Sequence, residues 1–237
     1  MNKSVRCFDF ANLLLSWFKK QKRQLPFRKN KNPYKVWLSE IILQQTQMSR
    51  GVDYYERFIK KFPDVVSLSA ASSEEVYSLW KGLGYYNRAK NLHETAKIIS
   101  KSGGIFPKKE KELLLLPGIG PYTAAAISSI CFNEKSYVID ANVLRVLSRV
   151  FGLNYNISKQ KSIKHFLKLT LTLTDKVKQH GDYNEAIMDF GGVVCLPKKP
   201  RCGECVLKKN CFAFNMSLIE KFPIRKKKLI RKKRLFN

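Results

Sequence analysis

Four cysteines within seventeen residues, Cys195, Cys202, Cys205 and Cys211, constrain this chain more than any other feature of it. Their pattern is Cys-x6-Cys-x2-Cys-x5-Cys, while Cys7 and Cys131 lie far off in sequence. Four thiolates so close together can converge on one metal centre, which fixes a loop that has little apolar sequence of its own. Zinc is one candidate, but zinc ribbons usually present two Cys-x2-Cys knuckles and this segment has a single one. The longer gaps suit the wider span of a [4Fe–4S] cubane, in which each cysteine takes a different iron. Lys198, Lys199, Arg201, Lys208 and Lys209 lie between the cysteines, either as a solvated loop or as a phosphate-binding loop shaped by the metal centre.

The charge balance points to a polyanionic partner. Lysine and arginine total 45 against 18 acids, a formal charge of +27. Residues 225–234 carry eight of those positive charges and no acid, so most of the excess lies on the remainder of the chain. Neutralising phosphates releases counterions, so nucleic acid is a better partner for such a surface than water alone. No apolar run approaches the ~20 residues needed to span a bilayer, and the N-terminus lacks a secretory signal pattern. A reducing cytoplasmic setting is expected, where cysteines bind metal more readily than they pair.

Apolar periodicity predicts helix after helix. Phe10, Leu14, Leu15 and Phe18 recur at helical spacing, and Pro33 opens a second helix expected to run to about Arg50. Further helices fit 52–62, 73–81, 85–101, 109–115, 121–132, 142–151, 158–178 and 183–190. No stretch alternates convincingly, so the fold class is all-α.

Three segments carry candidate chemistry. Leu116-Pro117-Gly118-Ile119-Gly120 lies between two helical patterns; Gly118 and Gly120 permit a tight turn that exposes backbone N–H groups at the next helix start. That turn is either an ordinary helix connection or a DNA clamp, and the small residues Thr123–Ala126 favour the clamp. Glu40 interrupts an apolar stretch, and helical spacing puts Trp37, Glu40, Gln44 and Gln47 on one face. Glu40 is either a surface residue of an amphipathic helix or a carboxyl among apolar neighbours, whose pKa tends to rise as a general acid near neutrality requires. Gln44, Gln45 and Gln47 supply amides able to read base edges. Asp140 precedes a helix beginning at Ala141, where its ordinary role is an N-cap; a fixed carboxylate there could also stabilise positive charge on a sugar.

In this order and spacing, several motifs resemble the MutY-type adenine DNA glycosylases of the helix-hairpin-helix superfamily that includes endonuclease III. They are Pro33-Tyr34-Lys35-Val36-Trp37-Leu38-Ser39-Glu40, Leu43-Gln44-Gln45-Thr46-Gln47, Gly82-Leu83-Gly84-Tyr85-Tyr86, the Leu-Pro-Gly-Ile-Gly turn, Asp140-Ala141-Asn142-Val143-x-Arg145-Val146, Asn184-Glu185-Ala186-Ile187-Met188-Asp189, and the four cysteines. The resemblance runs from about Trp17 to Phe222.

It implies two helical lobes around a DNA-binding cleft, one of residues 28–132 and one of residues 1–27 with 133–215, the latter bearing the [4Fe–4S] loop. Residues 216–237 would be a basic tail or the start of a C-terminal Nudix-like domain that the chain otherwise lacks. The partner implied is double-stranded DNA with A·8-oxoguanine or A·G mispairs, bound by a monomer at the bacterial nucleoid. The target adenine is flipped out of the duplex and its N-glycosidic bond hydrolysed. Glu40 would protonate adenine and assist water attack, Asp140 would stabilise the sugar cation, and Asn142 would organise the nucleophile side. Gln45 and Tyr85 would enter the base stack, with Arg28 and Glu185 around the flipped adenine. Position 122 holds a Schiff-base lysine in endonuclease III-like enzymes. Here it is Tyr122, which implies a glycosylase without lyase activity. A bifunctional endonuclease III-like enzyme and a non-catalytic iron–sulfur DNA-binding protein are the alternatives.

Overall fold

The computed structural model describes residues 9–225, so Cys7 and nearly all of the basic run at 225–234 lie outside the described residues. Twelve α-helices follow in order among them: α1 Phe10–Gln21, α2 Pro33–Leu43, α3 Met48–Lys61, α4 Val65–Ala70, α5 Ser73–Trp80, α6 Asn87–Lys101, α7 Glu110–Leu113, α8 Pro121–Phe132, α9 Ala141–Phe151, α10 Gln160–Leu173, α11 His180–Val193 and α12 Phe212–Asn215. No strand occurs among the described residues. No helix there is long and apolar enough to cross a membrane.

Local sequence starts most of these helices. Asn32 caps α2 by accepting from Lys35 N, with Pro33 in the first turn. Capping boxes open α4 (Asp64 with Ser67) and α5 (Ser72 with Glu75). Gly152 closes α9 in the left-handed conformation.

Two helical lobes result. In one, α2 packs on α3, and α4 and α5 pack on α6; in the other, α11 packs on α1 and α9. Helix α8 joins them, touching both α2 and α11. Its run from Thr123 to Ile130 is buried on every side, and small side chains let both neighbours approach. Core aromatics include fully buried Trp37, Trp80 and Tyr183. Phe190 of α11 meets Trp17 of α1 edge-on at 5.1 Å.

The expected single helix from Pro33 to Arg50 is two. Helix α2 stops at Leu43 and α3 starts at Met48, with Gln45 between them at φ 57. The cause lies outside the segment: Arg88 donates to the carbonyls of Ile41, Ile42 and Gln44, at 3.0, 3.2 and 2.6 Å. Those acceptors would otherwise serve the next helical turn. Gln47 therefore leaves the Glu40 face and becomes the N-cap residue of α3.

Candidate active site

A cavity of about 470 Å³ opens where the lobes meet, in the size range of ligand sites. Arg28, Glu40, Gln44, Gln45, Tyr122, Asp140, Asn142 and Glu185 all line it. The elements responsible are the 3-10 turn Pro26–Arg28, the C-terminal half of α2, the first turn of α8, the start of α9 and the middle of α11. Trp37 is absent from the lining; it is fully buried and borders a smaller cavity with Gly118.

Glu40 keeps some solvent contact through the cavity mouth and is otherwise surrounded by protein. Burial pushes its carboxyl from the ordinary 4.5 up to about 7. Hydrogen bonding to Tyr122 and the charge of Arg28 oppose that rise, while Asp140 and Glu185 add to it. At neutral pH a large fraction of Glu40 is a carboxylic acid with a proton to give. Tyr122 itself is held far above the ordinary phenol range, first by burial and then by the carboxylates of Glu40 and Asp140. It stays protonated, and its hydroxyl, hydrogen-bonded to Glu40, also lies 3.3 Å from the Met188 sulfur.

Asp140 takes the N-cap role considered for it and also lines the cavity. Its Oδ1 accepts from Val143 N at 2.7 Å, which caps α9, and its Oδ2 accepts from Asn142 Nδ2 at 2.9 Å. Burial pushes its carboxyl up, and these two donors partly reverse the effect. The result is a fixed carboxylate whose remaining lone pairs face the cavity that Glu40 also enters.

A second ionic cluster orders the wall opposite. Arg28 Nη1 donates to Asp189 at 2.6 Å, and its Nε pairs with Glu185 at 2.9 Å. Fully buried Asp189 also binds Arg23, through Nε at 2.7 Å and through Nη2. Burial works against the Asp189 charge, yet the two arginines hold its carboxyl below the usual range. Burial likewise opposes the charge on Arg28, but Asp189, Glu185 and Glu40 raise its pKa overall. Arg28 is thereby fixed with planar donors at the cavity wall.

Three expected DNA-facing residues lie outside this cavity. Tyr85 stands 65% exposed at φ 50 in the loop before α6. Gly118 takes φ 73 in the turn between α7 and α8, and a Cβ there would come within 2.7 Å of Asn91. Gly120 is the N-cap residue of α8.

The four cysteines border one small cavity together with Arg149. Burial pushes the Cys205 thiol up to about 12 and raises Cys202 and Cys211, with mutual repulsion adding to each. Such a set becomes thiolate only beside strong positive charge. Arg149 Nη1 lies 3.6 Å from Cys195 Sγ and 2.6 Å from the Leu196 carbonyl. Among the described residues no group of three or more ligating side chains is gathered about one ion.

The sequence motifs contain Asp189, Met188 and Arg145 without a role for any of them, and Arg88 lies outside them. Asp189 closes a quoted motif, and Arg145 and Arg88 stand three residues after Asn142 and Tyr85. Those spacings were the available signals.

An all-helical body with a helix-turn-helix hairpin beside an acid-lined cavity is the architecture of the helix-hairpin-helix repair proteins. Residues 38–170 match the HhH-GPD superfamily base excision DNA repair protein family, and the chain belongs to it. The adenine DNA glycosylase of Buchnera aphidicola subsp. Baizongia pistaciae is 42% identical over 86% of this chain and 58% of its own length. That of Mus musculus is 41% identical over 86% of this chain and 42% of its own length. The chain thus spans little more than half, or less, of these relatives. Among solved structures, a thermostable thymine-DNA glycosylase is 31% identical with a TM-score of 0.77, covering 87% of this chain and 95% of that one. An endonuclease III–DNA complex, at 21% identity and a TM-score of 0.73, covers 88% and 95%; it shares the fold.

Proposed function

We propose that this chain is a monofunctional adenine DNA glycosylase acting on A·8-oxoguanine and A·G mispairs. The observation that carries the reading is the pairing of a carboxyl at about 7 on Glu40 with the capped carboxylate of Asp140 in one cavity. The relatives at about 40% identity support adenine as the base.

In the reaction, Glu40 gives its proton to the flipped adenine, and the electrons of the N-glycosidic bond leave with the base. Positive charge develops on the sugar and is stabilised by Asp140. Water then adds to the sugar carbon and returns a proton to Glu40. Arg28 and Glu185 present a donor and an acceptor to the base edge. Tyr122 lacks the amine needed for a Schiff base, so the strand stays intact.

The same reading assigns Cys195, Cys202, Cys205 and Cys211 to a [4Fe–4S] cluster. Four half-buried thiols around one cavity suit a centre that spreads its ligands over several irons, and the Arg149 guanidinium beside them would offset the negative charge of the thiolates. When bound, the cluster would cross-link the basic loop, and excision takes no group from it. Iron and sulfide analysis of purified protein tests this; zinc in their place would refute it. Bound to DNA as a monomer, the protein belongs in the bacterial cytoplasm at the nucleoid.

Excision should be assayed on duplexes carrying A·8-oxoguanine, A·G, T·G and an oxidised pyrimidine. Release of adenine from the first two supports the reading. Thymine release would place the activity with the thymine-DNA glycosylase neighbour, and strand cleavage without alkali would make the enzyme bifunctional.

A further inference from the structure

Arg88 carries a guanidinium with an unusual set of partners. Nη1 donates to the carbonyls of Ile41, Ile42 and Gln44 at the end of α2, while Nη2 donates to Leu83 and Gly84, both at 3.2 Å. One rigid fork therefore ties the α2–α3 loop to the α5–α6 loop. Every one of these acceptors is a backbone carbonyl. The guanidinium also lies 5.0 Å from the Trp80 ring and 5.6 Å from the Tyr85 ring.

The two loops so joined share a second property. Each lifts one exposed, non-glycine residue into left-handed backbone: Gln45 at φ 57 and Tyr85 at φ 50. Such a conformation is strained for a side-chain-bearing residue and persists only where its surroundings enforce it. Gln45 stands on the rim of the cavity that holds Glu40. The same α6 face continues to the hairpin, where Thr95 Oγ1 donates to the Pro117 carbonyl at 2.8 Å and Asn91 packs under Gly118.

The geometry points to Arg88 as a positioning residue that locks the Gln45 and Tyr85 loops into a single wedge for extruding the target base. It touches neither the base nor the reacting bond. Its planar fork reaches two loops at once, which a lysine ammonium, a single point of charge, cannot reproduce. Desolvation by burial lowers the Arg88 pKa, and the ring of carbonyl dipoles is what holds the charge in place. The inference rests on the base-excision reading above.

The test uses a duplex with 2-aminopurine beside the target adenine, whose fluorescence rises when the adenine leaves the stack. Chemistry is stopped with Glu40→Gln, and Arg88→Lys is added to that protein. The wedge role predicts a fluorescence rise about tenfold slower at saturating protein, with affinity for the duplex changed less than about threefold. A rise of unchanged rate, or a loss that merely follows affinity, overturns it. Should Arg88→Lys fail to fold, Gln45→Gly and Tyr85→Gly serve, because glycine accepts the left-handed backbone without strain. A locked wedge predicts that each single change slows extrusion as much as the pair; additive losses overturn it. Absence of adenine excision by the unaltered protein overturns the functional reading instead, so the two failures are distinct.

Discussion

Asn142 donates its side-chain amide to Asp140 at 2.9 Å, and its own carbonyl accepts from Arg145 at 2.8 Å. Arg145 is buried and also donates to the carbonyls of Cys195 and Gly191, both at 2.7 Å, and of Ala141 at 3.3 Å. One amide and one guanidinium thus connect the Asp140 carboxylate in the cavity to the first cysteine of the loop. Asp140 is oriented by this chain as well as by the helix it caps.

Arg145→Lys breaks the chain while keeping its charge. Three backbone carbonyls and the Asn142 amide oxygen lose planar donors, which should cost about 2 kcal/mol of stability. Excision should fall by about tenfold or more in kcat with little change in KM, as Asp140 loses its orientation. Urea unfolding and steady-state excision measure the two effects; a wild-type kcat would disconnect Arg145 from Asp140.

Gly191 packs flat against the same group. A Cβ there would lie 2.6 Å from Asn142 Cβ and 3.1 Å from its Cα, so backbone must move. Gly191→Ala should destabilise by about 2 kcal/mol and depress excision more than a comparable change elsewhere on α11. Calorimetry and single-turnover excision would reveal this; a neutral substitution would mean that α9 and α11 separate freely.

The raised carboxyl of Glu40 gives stability a pH dependence with a definite sign. Between 4.5 and about 7 the folded protein holds a proton that the unfolded chain has lost. The contribution of Glu40 to stability is present below that window and falls as pH rises through it. Glu40→Gln, which does not titrate, should be the more stable protein by about 2 kcal/mol at pH ~8, with the difference shrinking toward pH ~5. Denaturant melts at both pH values test it; an equal difference at the two would remove Glu40 as the source.

Tyr122 tunes that proton. Its hydrogen bond holds the Glu40 carboxyl below where burial alone would put it. Tyr122→Phe should therefore shift the alkaline limb of the excision profile, set by Glu40 at about 7, to higher pH. A downward shift would mean that Tyr122 favours the protonated carboxyl.

Much of this was readable from residues alone, because the determinants are local. The cap at Asp140, the proline that opens α2, the apolar period of α1 and the glycines of the hairpin all act within a few positions of themselves. Glu40 declared itself by interrupting an apolar run. Arg88 did not, since its acceptors lie more than forty residues away, at Ile41, Ile42 and Gln44. That long-range capping is why α2 ends at Leu43 where periodicity alone carried it to Arg50. Asp189 was likewise silent: a buried acid is defined by the arginines that meet it, and Arg23 and Arg28 come from the other end of the chain. The short helices α4 and α12 are too brief for periodicity to register.

In the proposed reaction Glu40 supplies the proton for cleavage of the N-glycosidic bond and no residue opens the strand. Its most direct measurement is single-turnover release of free adenine from an A·8-oxoguanine duplex, with strand integrity followed on the same samples before any alkali. The unaltered protein should give free adenine and an intact strand, and Glu40→Gln should give no adenine although the duplex is still bound. Adenine released by Glu40→Gln, or strand scission in step with base release, would contradict it.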